Sequence, residues 1–458
     1  MRKSDLLKQE ILDSVVKYYS EIQDSRYTKE SDKKNSRINY AGRVFDEKEM
    51  ISLIDSALEF WLTSGRYSKE FEKSLAEYLG VRFALLVNSG SSANLLAFFA
   101  LTSPLLKERQ VQRGDEIITL AAGFPTTIAP IIQYGAVPVF VDIDKTLNIN
   151  VADLDKALSR KTKAVMIAHT LGNPFDAVSV KAFCDRHNLW LIEDNCDALG
   201  SEYQGKKTGT FGDIGTSSFY PPHHITMGEG GAVYTNNPTL KKILLSMRDW
   251  GRDCWCESGV DNTCKARFSQ QCGELPFGYD HKYVYSHFGF NLKATDLQAA
   301  IGCEQLKKLP NFVEKRIKNH NILYNALKNT HFLHLVEAQK DSKPSWFGFM
   351  MIVDEKAPFT RNEIVEYLES KHIQTRALFA GNMLKHPAFT HLQKGKDYRV
   401  VSDLTQTNAI MERGFWIGVY PGLAKQELVY VAQSICSFVD MYKNKTSIST
   451  ISMDSNNF

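Results

Sequence analysis

The chain has 458 residues, 43% of them hydrophobic, with 55 basic and 52 acidic side chains and a net charge of +3. That length and apolar content support a main domain of about 250 residues and a smaller second one. So even a charge balance gives no electrostatic case for a nucleic-acid partner or an anionic membrane surface.

In chain order, residues 1–46 read as a charged helical segment followed by a polar stretch at 28–39. No uninterrupted apolar run opens the chain, so no secretory signal is expected. The longest apolar run, 346–353, is too short to span a bilayer. The expected location is cytoplasmic. There the eight cysteines serve as free thiols, metal ligands or redox groups rather than disulfides.

A periodic helix is predicted over 47–62. Strands are predicted at 84–87, 116–120, 137–141, 164–169, 190–192, 215–219 and 231–234. Several are solidly apolar, as in strands covered on both faces. Helical patterns between them predict an α/β fold with a mostly parallel sheet. A long helix over 297–327 is expected to break at Pro310. A second, α+β pattern follows, with a strand at 347–353 and helices at 361–371 and 424–442. The Ser-, Thr- and Asn-rich tail, 443–458, is expected to be disordered. The chain thus divides into an amino-terminal segment 1–46, a large domain 47–309, a small domain 310–442 and a tail.

Three features carry chemistry. Asn88-Ser89-Gly90-Ser91-Ser92-Ala93-Asn94 follows an apolar strand and opens a helix. Small residues there let backbone N–H groups reach a phosphate, and the helix N-terminus favours the anion. An ordinary strand-to-helix turn reads the same way. Asp194 closes an apolar strand at the carboxyl edge, where ligands of parallel sheets bind. A carboxylate there can pair with a protonated pyridine nitrogen, or simply cap a loop. The third feature runs from Gly212-Asp213 through Ser218-Phe219-Tyr220-Pro221-Pro222-His223 to Gly228-Glu229-Gly230-Gly231.

The order of these motifs resembles the DegT/DnrJ/EryC1/StrS family of sugar aminotransferases over about 47–439. The resemblance implies a fold-type I, aspartate aminotransferase-like large domain that binds pyridoxal or pyridoxamine 5′-phosphate, plus a smaller α+β domain. It implies that Gly90 and Ser91 cradle the phosphate and that Phe124 stacks on the pyridine ring. Asp194 would face the ring nitrogen, and Ser218 would add a phosphate contact. Asn291 would reach the phosphate across a subunit boundary, which implies a homodimer. For Phe124 and Asn291 taken singly, core packing and turn formation are the plainer readings.

The family's cofactor-binding lysine lies five residues after the serine, and here that position is His223. Imidazole has no primary amine to bond the cofactor, so untethered pyridoxamine phosphate is the expected resting form. Histidine can still act as a general base near neutrality. Asp197 stands where these aminotransferases usually have Gln, and Tyr220 where they often have His. Both are expected on the substrate side, or equally in a supporting role behind it.

Cys254-Trp255-Cys256 and then Cys264 form a dense thiol cluster. Spacing alone suits zinc slightly better than an iron–sulfur cluster. With Cys196, the pattern C-X57-C-X1-C-X7-C resembles that of the CDP-4-keto-6-deoxyglucose 3-dehydrases within the family. That resemblance implies a [2Fe–2S] cluster and an NADH-dependent iron–sulfur flavoprotein reductase as electron donor. It also implies a role in making 3,6-dideoxyhexoses of surface polysaccharide. The alternatives are an iron-free GDP-4-keto-6-deoxymannose 3-dehydratase and a catalytically silent homologue that binds a sugar nucleotide.

Overall fold

Seven short, mostly buried runs pair into one sheet in the computed structural model, which describes residues 2–28, 37–256 and 258–454. They are β1 (Phe83–Val87), β2 (Glu116–Leu120), β3 (Val137–Val141), β4 (Thr162–Ala168), β5 (Trp190–Asp194), β6 (Ile214–Ser218) and β7 (Gly231–Thr235). Each lies within about two residues of its expected place. The sheet order is β1-β7-β6-β5-β4-β2-β3, and β7 alone runs antiparallel to its neighbours. Helices cover both faces. One face packs Leu96, Ile117, Met166 and Ile192 into a core, and the other packs Ile118, Val139, Val165 and Leu191. Burial on both sides explains why the runs are continuous rather than alternating.

Helices α1 (Lys3–Thr28), α2 (Glu47–Glu59) and α3 (Arg66–Leu79) precede the sheet. The polar stretch at 29–36 lies outside the described residues. Helix α4 (Gly90–Ala100) follows β1, α5 (Pro125–Tyr134) follows β2, α6 (Ala177–Arg186) follows β4 and α7 (Pro238–Arg248) follows β7. Among the described residues, no helix is long and apolar enough to cross a membrane.

Helix α8 (Asp296–Leu327) runs unbroken through Pro310, against expectation. Its flanking Leu306, Leu309, Phe312 and Val313 are buried. That packing outweighs the roughly 3 kcal/mol a mid-helix proline costs.

The second pattern forms an antiparallel sheet from β8 (Leu333–Leu335), β9 (Gly348–Val353), β10 (Thr375–Arg376) and a strand at Gly414–Gly418. Between the last two, β11 (Arg399–Val400) leaves this sheet and pairs in parallel with β3, which makes Gly414–Gly418 β12. Met383, Phe389 and Leu404 pack with Ala121, Ile128 and Phe140 of the large domain. The carboxyl-terminal third is therefore stitched to the large sheet, rather than forming a body that starts cleanly at residue 310.

Helices α9 (Arg361–Ser370), α10 (Thr405–Arg413) and α11 (Lys425–Asp454) complete the chain. Helix α11 takes in residues 443–454, against the expectation of disorder there. Extending a helix already nucleated and packed through Leu428, Val431, Ile435 and Phe438 fixes one residue per added bond and costs little. Residues 455–458 lie outside the described residues.

Candidate active site

A cavity of about 280 Å³ opens at the carboxyl edge of the large sheet, between that sheet and the small domain. Gly90, Ser91, Asp194, Ser218, Tyr220 and His223 line it, together with Phe124, Cys196 and Asp197. The chain thus brings together nine of the residues singled out in its sequence.

The turn expected to cradle a phosphate is built by close packing. Ser89 caps α4, its hydroxyl accepting from the backbone N–H of Ser92 at 3.0 Å. A Cβ on Gly90 would stand 2.3 Å from Ser218 Cβ, and one on Gly231 would stand 2.3 Å from the Ser89 carbonyl oxygen. Only glycine fits either position, so the N-terminus of α4 is held against Ser218. Ser91 Oγ lies 3.3 Å from Thr126 Oγ1. This small-residue surface presents backbone donors to an anion.

Asp194 is buried and fixed from three sides. Its Oδ2 accepts from Asn94 Nδ2 at 2.8 Å and from Thr127 Oγ1 at 2.7 Å, and its Oδ1 accepts from the backbone N–H of Cys196 at 3.1 Å. Thr216 Oγ1 in turn holds Asn94 at 2.7 Å. The carboxylate is locked at the sheet edge, as a partner for a ring nitrogen requires. Phe124 is 47% exposed and meets Phe379 edge to face at the cavity. The aromatic is therefore a cavity wall rather than core. These features fit a pyridoxamine phosphate.

His223 Nδ1 lies 3.3 Å from the Tyr220 carbonyl oxygen. A carbonyl only accepts, so Nδ1 carries the proton and Nε2 offers its lone pair. That nitrogen faces Asp197 Oδ1 at 3.5 Å. Burial pushes the Asp197 carboxyl above its ordinary range. Phe347 of the segment leading into β9 tilts against the imidazole, with ring centres 5.3 Å apart.

Beneath the loop, Arg316 of α8 is 1% exposed. It donates to the carbonyls of His223 at 3.1 Å and Trp346 at 3.2 Å, joining the two segments that carry the imidazole and Phe347. Neighbouring His224 is buried, bonds the Ser345 carbonyl and is held well below its ordinary pKa by burial. Of the two adjacent histidines, His223 lines the cavity and His224 does not.

Asn291 is exposed, accepts from Lys293 and does not line this cavity. The cysteines divide. Cys196 lines the cavity, where burial raises its thiol pKa. Cys254, Cys256 and Cys264 occupy the loop after α7. There Cys256 Sγ lies 2.9 Å from Thr263 Oγ1, and Cys264 Sγ lies 3.8 Å from His281 Nδ1. Among the described residues no group of three His, Cys, Asp or Glu side chains is arranged to hold a metal ion. The thiols suit an iron–sulfur cluster in kind, but this arrangement does not fit one.

Sequence reasoning missed Asn94, Thr127 and Arg316, along with Tyr40, Phe347, Arg376 and Trp416 of the cavity wall. Asn94 sits inside the Gly-Ser turn and Thr127 just after Phe124, so both were within reach. The others stand far apart in sequence and carry no local motif.

A mostly parallel sheet with its ligand cavity at the carboxyl edge, a glycine cradle and a buried carboxylate define a fold-type I cofactor enzyme. The chain belongs to the DegT/DnrJ/EryC1/StrS aminotransferase family, which matches residues 44–436. It is 54% identical over 400 residues to the lipopolysaccharide biosynthesis protein RfbH of Salmonella typhimurium, covering 87% of this chain and 91% of that one. It is 48% identical over 433 residues to dTDP-4-dehydro-2,6-dideoxy-D-glucose 3-dehydratase of Saccharopolyspora spinosa, covering 94% and 92%. Among solved structures, an E. coli GDP-4-keto-6-deoxy-D-mannose-3-dehydratase with bound hydrated PLP matches with a TM-score of 0.78 at 30% identity. That match covers 87% of this chain and 99% of that one.

Proposed function

We propose that the protein removes the C3 hydroxyl of a nucleotide-linked 4-keto-6-deoxyhexose, using untethered pyridoxamine phosphate. One observation carries this reading. His223 occupies the lysine position, and its Nε2 faces a cavity whose phosphate cradle and pyridine partner are intact. Bound there, the cofactor supplies an amine for the 4-keto group and a ring that draws off electrons.

The N-terminus of α4 and Ser218 hold the phosphate. Asp194 keeps the ring nitrogen protonated. With the cofactor bound, His223 would be placed to accept a proton at the cofactor's amine carbon, and Asp197, 3.5 Å from Nε2, would stabilise the charge this places on the imidazole. Tyr220 stands on the substrate side. Identities of 54% and 48% over most of the chain, one of them to a sugar 3-dehydratase, support this reading over a silent homologue.

The finer reading takes CDP-4-keto-6-deoxyglucose as substrate. It adds a [2Fe–2S] cluster on Cys196, Cys254, Cys256 and Cys264, a flavoprotein reductase and a homodimer. The cysteine spacing favours it over an iron-free GDP-sugar dehydratase. That no group of three His, Cys, Asp or Glu side chains among the described residues is arranged to hold a metal ion weighs against the cluster, and no step here depends on one. The Saccharopolyspora relative makes a dTDP-linked substrate the second reading.

The test is purification under anaerobic conditions, with iron and sulfide analysis. The protein is then incubated in ¹⁸O-labelled water with the CDP-, dTDP- and GDP-linked 4-keto-6-deoxy sugars, and exchange or loss of the C3 oxygen is followed by mass spectrometry. Exchange or loss with one of them supports the dehydratase. Neither with any, despite bound cofactor, would sink it. Absence of iron would remove the finer reading alone.

A further inference from the structure

The cavity around His223 must take two polyanions if the dehydratase reading holds: the cofactor phosphate and the diphosphate of a nucleotide sugar. The first is met by neutral donors, the backbone at Gly90 and Ser91 and the hydroxyl of Ser218. Two of the remaining lining groups, Asp194 and Asp197, are acids that repel a phosphate. Apart from His223, the cationic side chain lining the cavity among the described residues is Arg376.

Arg376 ends β10 in the small domain. Its guanidinium carbon lies 4.2 Å from the centre of the Tyr40 ring, and Tyr40 packs edge to face on Trp416. Arg376 Nη1 donates to the Thr375 carbonyl at 2.8 Å. Arg376 is exposed and forms no ion pair with a carboxylate among the described residues. The group is thus oriented by an aromatic face and one backbone bond while its charge remains uncompensated. An arginine fixed this way keeps further N–H donors in a planar fork, which matches a phosphate group in two-point contact.

We propose that Arg376 binds the diphosphate of the nucleotide-linked substrate, an assignment that rests on the dehydratase reading above. It is a binding residue set apart from the proton-transfer groups. Its loss changes how the nucleotide is held and leaves the cofactor in place.

The test is calorimetric titration of the pyridoxamine-phosphate-loaded protein with CDP, dTDP and GDP, for the wild type, Arg376→Gln and Arg376→Lys. The wild type binds at least one of them. Arg376→Gln weakens that binding by about 10- to 100-fold, the loss of a charge-assisted pair. Arg376→Lys recovers part of it, and the cofactor content of all three is equal. Equal affinity of the wild type and Arg376→Gln overturns the assignment. A wild type that binds none of the three nucleotides overturns the sugar-nucleotide reading itself.

Discussion

Arg316 donates through Nη2 to the backbone carbonyl of His223, 3.1 Å away, from a fully buried position on α8. The base is therefore held by its main chain from below, while its ring is held by Tyr220, Asp197 and Phe347. Arg316→Met leaves several buried carbonyls without a donor, each costly to desolvate. The variant should lose about 2–4 kcal/mol of stability. It should also exchange the C4′ protons of bound pyridoxamine phosphate more slowly. Urea unfolding and deuterium exchange followed by NMR check both. An unchanged exchange rate would show that Arg316 supports the fold alone.

His223→Asn keeps the shape of the cavity but removes the base. It should retain pyridoxamine phosphate and slow C4′ exchange by about 10²- to 10⁴-fold, the usual worth of a positioned base. His223→Lys should restore a covalent bond to pyridoxal phosphate, trapped by borohydride reduction and located by peptide mass mapping. Failure to trap it would mean that this position does not face the cofactor's aldehyde.

Gly90→Ala drives a methyl to 2.3 Å from Ser218 Cβ and 3.0 Å from Ser218 Cα, so the backbone must shift. The cradle should open at a cost of about 1–3 kcal/mol. Pyridoxamine phosphate should bind at least tenfold more weakly, as equilibrium dialysis would show. Gly80, where an added Cβ meets nothing within 4 Å but φ is +70°, should cost stability on substitution without touching cofactor affinity.

Acid should destabilise the protein early. Burial holds His320 at about 3, stacked on Trp346 with ring centres 3.9 Å apart, and holds His224 well below its usual value. Both are neutral in the folded state and take up protons when unfolded. Their contribution is complete above about pH 6.5 and declines as pH falls toward the folded values. His320 alone accounts for about 2 kcal/mol at pH 5. Urea midpoints between pH 7.5 and 5 should fall steeply, and His320→Phe should flatten that slope. Parallel curves would show that the ring titrates normally.

The strands were legible because burial on both faces makes them continuous apolar runs, and the cradle and Asp194 because they adjoin those runs. Pro310 misled, since a local rule meets two turns of buried Leu and Phe that override it. The tail at 443–454 misled because composition says nothing about a helix extending from a packed neighbour. Arg316, Arg376, Phe347 and Trp416 were invisible for another reason. They reach the cavity wall, or in the case of Arg316 the loop behind it, from separate elements of the second half, and no spacing rule spans the gap between α8 and β12. The cysteines were the reverse case: a dense spacing in sequence that the structure divides between a cavity wall and a loop.

The short strand β11 has a practical consequence. It supplies the outer neighbour of β3, and its Arg399 clasps Glu116 through two bonds of 3.1 and 2.8 Å. A chain cut short after α8 would bare a parallel edge at Val137–Val141, a template for pairing with other chains. It would also strip Phe347 and Arg376 from the cavity. The cofactor half is therefore not a portable cassette: domain exchange with a relative should be planned at loop tips, with both crossings between the sheets carried together.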